Sequence, residues 1–96
     1  MIVSFGDRAA EDLYHNRFTS RVRRFPRDIV PSSLIKMDYL EAAHNLRDLR
    51  IPPGNHLEKL RGELKGYHSI RINDQWRLVF LWQNDGAHEV RLEDYH

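Results

Sequence analysis

The run Arg50-Ile51-Pro52-Pro53-Gly54-Asn55 divides the chain in two, because consecutive prolines cannot extend a helix and Gly-Asn supplies a turn. On its amino-terminal side the pattern is helical. Ala9 to Tyr14 reads as a short helix after Asp7, and a longer one is expected from about Asp28 to Asn45. Asp28 can cap the longer helix, and Pro31 falls in its first turn, where a missing N–H does no harm. Val30, Leu34, Met37 and Leu40 recur at helical spacing and are read as its core face.

On the carboxy-terminal side the period changes to two. Ile70, Ile72, Trp76, Leu78, Phe80 and Trp82 occupy even positions, as a half-buried strand requires, and Asn73-Asp74-Gln75 interrupts the alternation as a hairpin turn. Burying the even positions of both strands demands matching parity, hence a three-residue loop with Arg71 opposite Arg77. Like charges so placed repel, so the pair makes sense if an anion lies between them or acids flank them. A second turn, Gln83-Asn84-Asp85-Gly86, leads to a last strand from His88 to Tyr95 with Val90 and Leu92 inward. Ile2 to Phe5 is expected to add a short first strand. The predicted class is α+β: two amino-terminal helices packed on an antiparallel sheet of four or five strands.

A chain of 96 residues supports one core, so residues 1–96 are read as a single domain. Its content, 41% hydrophobic and 30% charged, is that of a chain that folds. No apolar run has the length of a membrane span, and the start, Met1-Ile2-Val3-Ser4-Phe5, lacks the pattern of a secretory signal. Cysteine is absent, which removes disulfides and thiolate metal sites and suits a reducing cytoplasm.

Net charge is only +1, yet 12 of the 15 basic residues are arginine, whose planar fork matches phosphate oxygens. Arg17, Arg21, Arg23, Arg24 and Arg27 fall within a stretch free of acids. This block reads as a phosphate-contacting stripe, as a solvated basic loop, or as a docking face for an acidic protein.

The six histidines show no metal-binding spacing, and neither a glycine-rich phosphate loop nor a G-x-S-x-G motif is present. What remains is acid–base chemistry without metal or other cofactor. Cutting RNA in this way needs a base for the 2′-hydroxyl proton, cations for the pentavalent phosphorane and an acid for the departing 5′-oxygen. Glu58, Arg61, His68, Arg71, Arg77, Asp94, Tyr95 and His96 are polar residues on or beside the predicted sheet that offer those groups. Spacing alone does not gather them into a site.

The string Leu46-Arg47-Asp48-Leu49-Arg50-Ile51-Pro52-Pro53-Gly54-Asn55, then Leu57-Glu58-x-Leu60-x-Gly62, then Gly66-Tyr67-His68-Ser69-Ile70-Arg71-Ile72-Asn73-Asp74-Gln75-Trp76-Arg77, closing with Asp94-Tyr95-His96, resembles the HigB branch of the RelE/ParE toxin superfamily. The resemblance covers nearly the whole chain. It implies a toxin of a type II toxin–antitoxin pair, a metal-independent endoribonuclease that cuts translated messenger RNA on the ribosome. Implied partners are the ribosome, the message and a cognate antitoxin, often a helix-turn-helix protein through which alone operator DNA is met. Carried over by position, Arg77 is the phosphate-stabilising arginine and His96 a catalytic histidine, with Asp94 orienting it and Tyr95 stacking on a base or positioning the phosphate. Glu58 stands where well-studied relatives carry a catalytic histidine, and serves as base best if buried. Arg61 stands where they carry a lysine. Arg71, Arg23 and Arg24 complete the expected RNA contacts. The alternative is a non-enzymatic toxin: one that binds DNA gyrase, against which the Trp76-Arg77 and Asp94-Tyr95-His96 residues argue, or one that binds ribosomal RNA through the arginine block at 17 to 27 without cutting.

Overall fold

The computed structural model describes residues 1–95. Helix α1 spans Arg8–Tyr14, capped by the Asp7 carboxylate, which accepts from the Ala10 N–H at 2.8 Å. Helix α2 spans Ile29–Ala42 and stops three residues earlier than expected, at Ala43, whose backbone turns to an extended conformation. Asp28 does not cap it. Its φ and ψ of −68° and −20° are already helical, and the first N–H groups bond instead to the carbonyls of Pro26 and Arg27. The buried stripe of α2 is Ile29, Ser33, Met37 and Leu40, so Val30 and Leu34 pack at its margin and not at its centre. Ser33 is tolerated in that stripe because its hydroxyl donates to the Ile29 carbonyl at 2.7 Å.

Four antiparallel strands follow among the described residues: β1 Glu58–Lys59, β2 Tyr67–Arg71, β3 Trp76–Gln83 and β4 Gly86–Asp94, in the spatial order of the chain. The parity argument holds, with Arg71 opposite Arg77 and Ile70 opposite Leu78 across a three-residue loop. Asn73 shapes that loop, its side-chain oxygen accepting from the N–H groups of Gln75 and Trp76 at 2.8 and 2.7 Å. The next turn holds Asn84 and Asp85 at φ of 51° and 60°, the left-handed pair that a two-residue hairpin demands.

Residues 1–6 run parallel to β4 through hydrogen bonds with Ala87 and Val90, so the expected first strand forms an interrupted parallel edge. Between these contacts β4 carries a bulge with Glu89 at φ 53°, which is why Ala87, at an odd position, and Val90, at an even one, are both fully buried. Gly6 fits this crossing because a Cβ there would lie 2.7 Å from the Glu89 carbonyl oxygen.

The two helices cover the even face of the sheet, where Ile70, Leu78, Phe80 and Val90 meet Leu13, Met37 and Leu40 in one apolar cluster. Trp76 and Trp82, expected in the core, are half-buried at its edge. No helix among the described residues is long and apolar enough to cross a membrane.

The arginine block lies between the helices and is not uniformly free. Asp12, 6% exposed, accepts from Thr19 at 2.9 Å and pairs with Arg21 at 3.3 Å and Arg17 at 3.5 Å. Arg23, Arg24 and Arg27 are exposed and make no ion pair among the described residues. The Thr19 hydroxyl and the two arginines hold the Asp12 carboxyl below its ordinary 3.8. A lowered folded-state pKa stabilises the fold above the unfolded value and loses that contribution as pH falls through the lower one. The gap in thermal midpoint between the native protein and Asp12→Asn is therefore expected to be full at neutral pH and to close below about pH 4; thermal scans at several pH values showing a constant gap would contradict this.

Candidate active site

The odd face of the sheet carries Glu58, Tyr67, Ser69, Arg71, Arg77, Arg91 and Glu93, set on one side by pleating and by the pairs Glu58 with Ser69, Arg71 with Arg77, and Arg77 with Glu93. Arg77 is its centre. Although the two α-helices cover the opposite face, Arg77 is only 9% exposed. Its Nε donates to the Ser69 hydroxyl at 2.7 Å and one terminal nitrogen donates to the His56 carbonyl at 2.5 Å. The other terminal nitrogen lies 3.9 Å from the Glu58 carboxylate, and the guanidinium carbon sits 5.9 Å from the centre of the Tyr95 ring. A guanidinium has five donors, so two fixed bonds hold its plane while leaving capacity for phosphate oxygens.

The loop that supplies the His56 carbonyl is itself anchored. His56 has φ 44°, ending a short 3₁₀ turn at Pro53–Asn55. The fully buried Asn55 amide donates to the Leu49 carbonyl at 3.1 Å and accepts from Lys36 Nζ at 2.6 Å. Burial, followed by repulsion from Arg71, lowers the Lys36 pKa. Lys36, Asn55 and Ser69 were not singled out from sequence. Ser69 shares its parity with Arg71 and Arg77, a usable signal; the Asn55 contacts join residues too far apart in the chain to be paired by pattern.

The expected RNA-contacting and catalytic residues separate into groups. Glu58, Arg77 and Tyr95 come together, while Arg71 shares their face but is paired with Asp74, so acids do flank both arginines of the hairpin. Glu58 is more than half exposed, at 54% of its side chain, so burial does not act on it as the sequence reading asked. Asp94 lies opposite Trp76 and so on the even side, where the Gln75 amide donates to it at 3.2 Å. Arg61 is exposed before the Gly62–Leu64 turn, and Arg23 and Arg24 lie in the separate block; none of the three bonds to the Arg77 group among the described residues. His96 lies outside the described residues. His68 points to the even side, half-buried and stacked on Phe80 at 6.3 Å. Arg91, which sequence reading passed over, pairs with Glu93 at 2.6 Å and lies over the Tyr67 ring at 5.6 Å. The alternation that set Val90 and Leu92 inward already placed it on the odd face.

A sequence model of the RelE-like toxin of the type II toxin–antitoxin system HigB matches residues 3–96. The chain belongs to this HigB-like toxin family. It is 40% identical over 95 residues to Toxin HigB-1 of Vibrio cholerae serotype O1, an alignment covering 99% of this chain and 98% of that relative. A shorter alignment, 40% identical over 40 residues, covers 42% of this chain and 44% of Endoribonuclease HigB from Proteus vulgaris. The fold matches a chain of the YoeB-YefM complex from Staphylococcus aureus with a TM-score of 0.62 at 21% identity, covering 100% of this chain and 98% of that one.

In this HigB-like toxin the Ser69 hydroxyl is the lever that can be removed without touching the cation. In Ser69→Ala the guanidinium loses its Nε acceptor in a buried setting, at a cost of about 1–3 kcal/mol. The Arg77 Nε–H resonance is expected to exchange with water markedly faster in the variant than in the native protein; equal exchange would show that Ser69 does not hold the fork.

Proposed function

We propose that this HigB-like toxin, a single domain over residues 1–96, is an endoribonuclease that cuts translated messenger RNA on the ribosome by metal-independent acid–base catalysis. The observation that supports this best is the buried, doubly anchored Arg77 guanidinium on the face of the sheet opposite the two α-helices, beside Glu58 and Tyr95. A fixed fork of donors is what a phosphorane needs, since it stabilises developing charge without reorganising at the moment of reaction.

In the proposed reaction the 2′-hydroxyl oxygen attacks the adjacent phosphorus, its proton passing to the Glu58 carboxylate. Arg77 donates to the non-bridging oxygens, and the 5′-oxygen leaves with a proton supplied by His96. The products are a 2′,3′-cyclic phosphate and a 5′-hydroxyl. Tyr95 packs against a base or the sugar–phosphate chain, and Asp94, two residues before His96, orients it. Arg71 and Arg61 contact flanking phosphates, and Arg23 and Arg24 a more distant stretch of RNA. No cofactor enters this scheme. The name Endoribonuclease HigB of the Proteus vulgaris relative supports the reaction class.

The proposed partners are the ribosome with its message and a cognate antitoxin of helix-turn-helix type, which alone meets operator DNA, all in the cytoplasm. Support for an antitoxin comes from the family, described as a toxin of a type II system, and from a second solved structure of similar fold, at 20% identity and a TM-score of 0.58, described as a YoeB-YefM toxin–antitoxin complex from Staphylococcus aureus.

Purified toxin in a defined translating system tests the reading. Arg77→Ala, confirmed as folded by circular dichroism, is expected to cut message about 10²–10³-fold more slowly than the native protein. A folded variant cutting at the native rate would reject the site, and arrest of translation with every message intact would replace the nuclease by a binding inhibitor.

A further inference from the structure

A second cationic site lies behind the same sheet edge. Residues Leu46–Arg50 form a 3₁₀ helix, in which side chains three apart are eclipsed, so Arg47 and Arg50 project side by side. Together with Lys59 and His68 they line a cleft of about 300 Å³, walled by Leu46 and Leu57. Lys59 and His68 are direct partners across β1 and β2, one position on from the pair Glu58 and Ser69. Pleating therefore puts Glu58 and the Arg77 group on one side of this edge and the cleft on the other.

We infer that this cleft binds phosphate groups of RNA, gripping a strand that also meets the Arg77 face. The inference rests on the RNA-cutting role proposed above. No carboxylate lines the cleft, and Arg47, Arg50 and Lys59 make no ion pair among the described residues. Of the two acids adjacent in sequence to these cations, Glu58 lies on the other side of the edge, and Asp48 is turned to the His44 and Asn45 N–H groups at 2.9 and 3.2 Å and acts on Arg47 only at longer range. Three positive charges face one small cleft with apolar walls, a repulsion that a bound anion relieves. His68 adds no fourth charge, because burial and then Lys59 lower its pKa below the ordinary 6.5. The edge strand β1 is only two residues long, so a chain of phosphates can pass round it from one face to the other. Repeating anions at a fixed spacing suit two cationic sites on opposite sides of one edge better than a single acidic side chain does.

The triple variant Arg47→Gln, Arg50→Gln, Lys59→Gln changes only exposed side chains and leaves the Arg77 group intact. Its affinity is measured against salt for two probes: a single-stranded RNA made uncleavable by 2′-O-methylation, and purified ribosomes without message. The slope of log K against log salt is expected to become shallower by about 0.7 for each lost phosphate contact, about 2 for three. A change with the oligonucleotide assigns the cleft to the message strand, and a change with ribosomes alone assigns it to ribosomal RNA. Unchanged slopes for both probes overturn the inference, and weakened antitoxin binding beside unchanged slopes gives the cleft to an acidic protein instead. If native protein cuts message while the slopes stay the same, only the cleft is lost; if native protein binds neither probe, the RNA reading falls with it.

Discussion

A guanidinium that is nine-tenths covered must be paired, because desolvating a charge costs several kcal/mol unless hydrogen bonds replace its water. Arg77 meets that demand with two bonds to uncharged acceptors, Ser69 on the neighbouring strand and the His56 carbonyl on the loop before β1. Each charge-assisted bond is worth about 1.5–3 kcal/mol, enough together to offset the burial. Neither acceptor neutralises the cation. Glu58, the carboxylate that pairs with it among the described residues, is exposed and 3.9 Å away, a separation at which water and salt screen the attraction. The fold thus keeps a positive charge in a fixed orientation and leaves it available to an anion.

The rest of the architecture serves that placement. The helices bury the even face of the hairpin, which holds β2 and β3 in the one register that sets Arg71 opposite Arg77 and Ser69 within reach of Nε. Asn55 then ties the loop to Leu49 on one side and to Lys36 of α2 on the other, so the His56 carbonyl is held by the same helix that packs the core. Slipping the hairpin by one residue would send Arg77 into the apolar cluster. Core packing and site geometry therefore depend on the same register.

The sheet was legible in the sequence because its signal is periodic: even-numbered Ile70, Ile72, Leu78 and Phe80 are buried, and the turn at Asn73 preserves their parity. The end of α2, the absence of a cap at Asp28 and the bulge at Glu89 were not legible, since each is decided by packing between distant segments and not by local preference. The same holds within the site. Arg77, Glu58 and Tyr95 were named from the family resemblance, yet pattern placed Arg77 on an open surface; the His56 loop and the Tyr95 ring that lie against it are both remote in sequence. Asp94 was named with Tyr95 and His96 from the closing motif, and strand parity sets it opposite Trp76, on the other side of the sheet from Arg77.

Family membership and the Arg77 geometry bear on one chemical claim, that the 2′-hydroxyl of the message is the attacking group. The nature of the new RNA ends tests it most directly. Messages cut by the purified toxin on translating ribosomes should carry a 2′,3′-cyclic phosphate, or the phosphate left by its hydrolysis, on the upstream fragment and a 5′-hydroxyl on the downstream one. A 3′-hydroxyl paired with a 5′-phosphate would mean that water, not the ribose, attacks phosphorus, and would contradict the account.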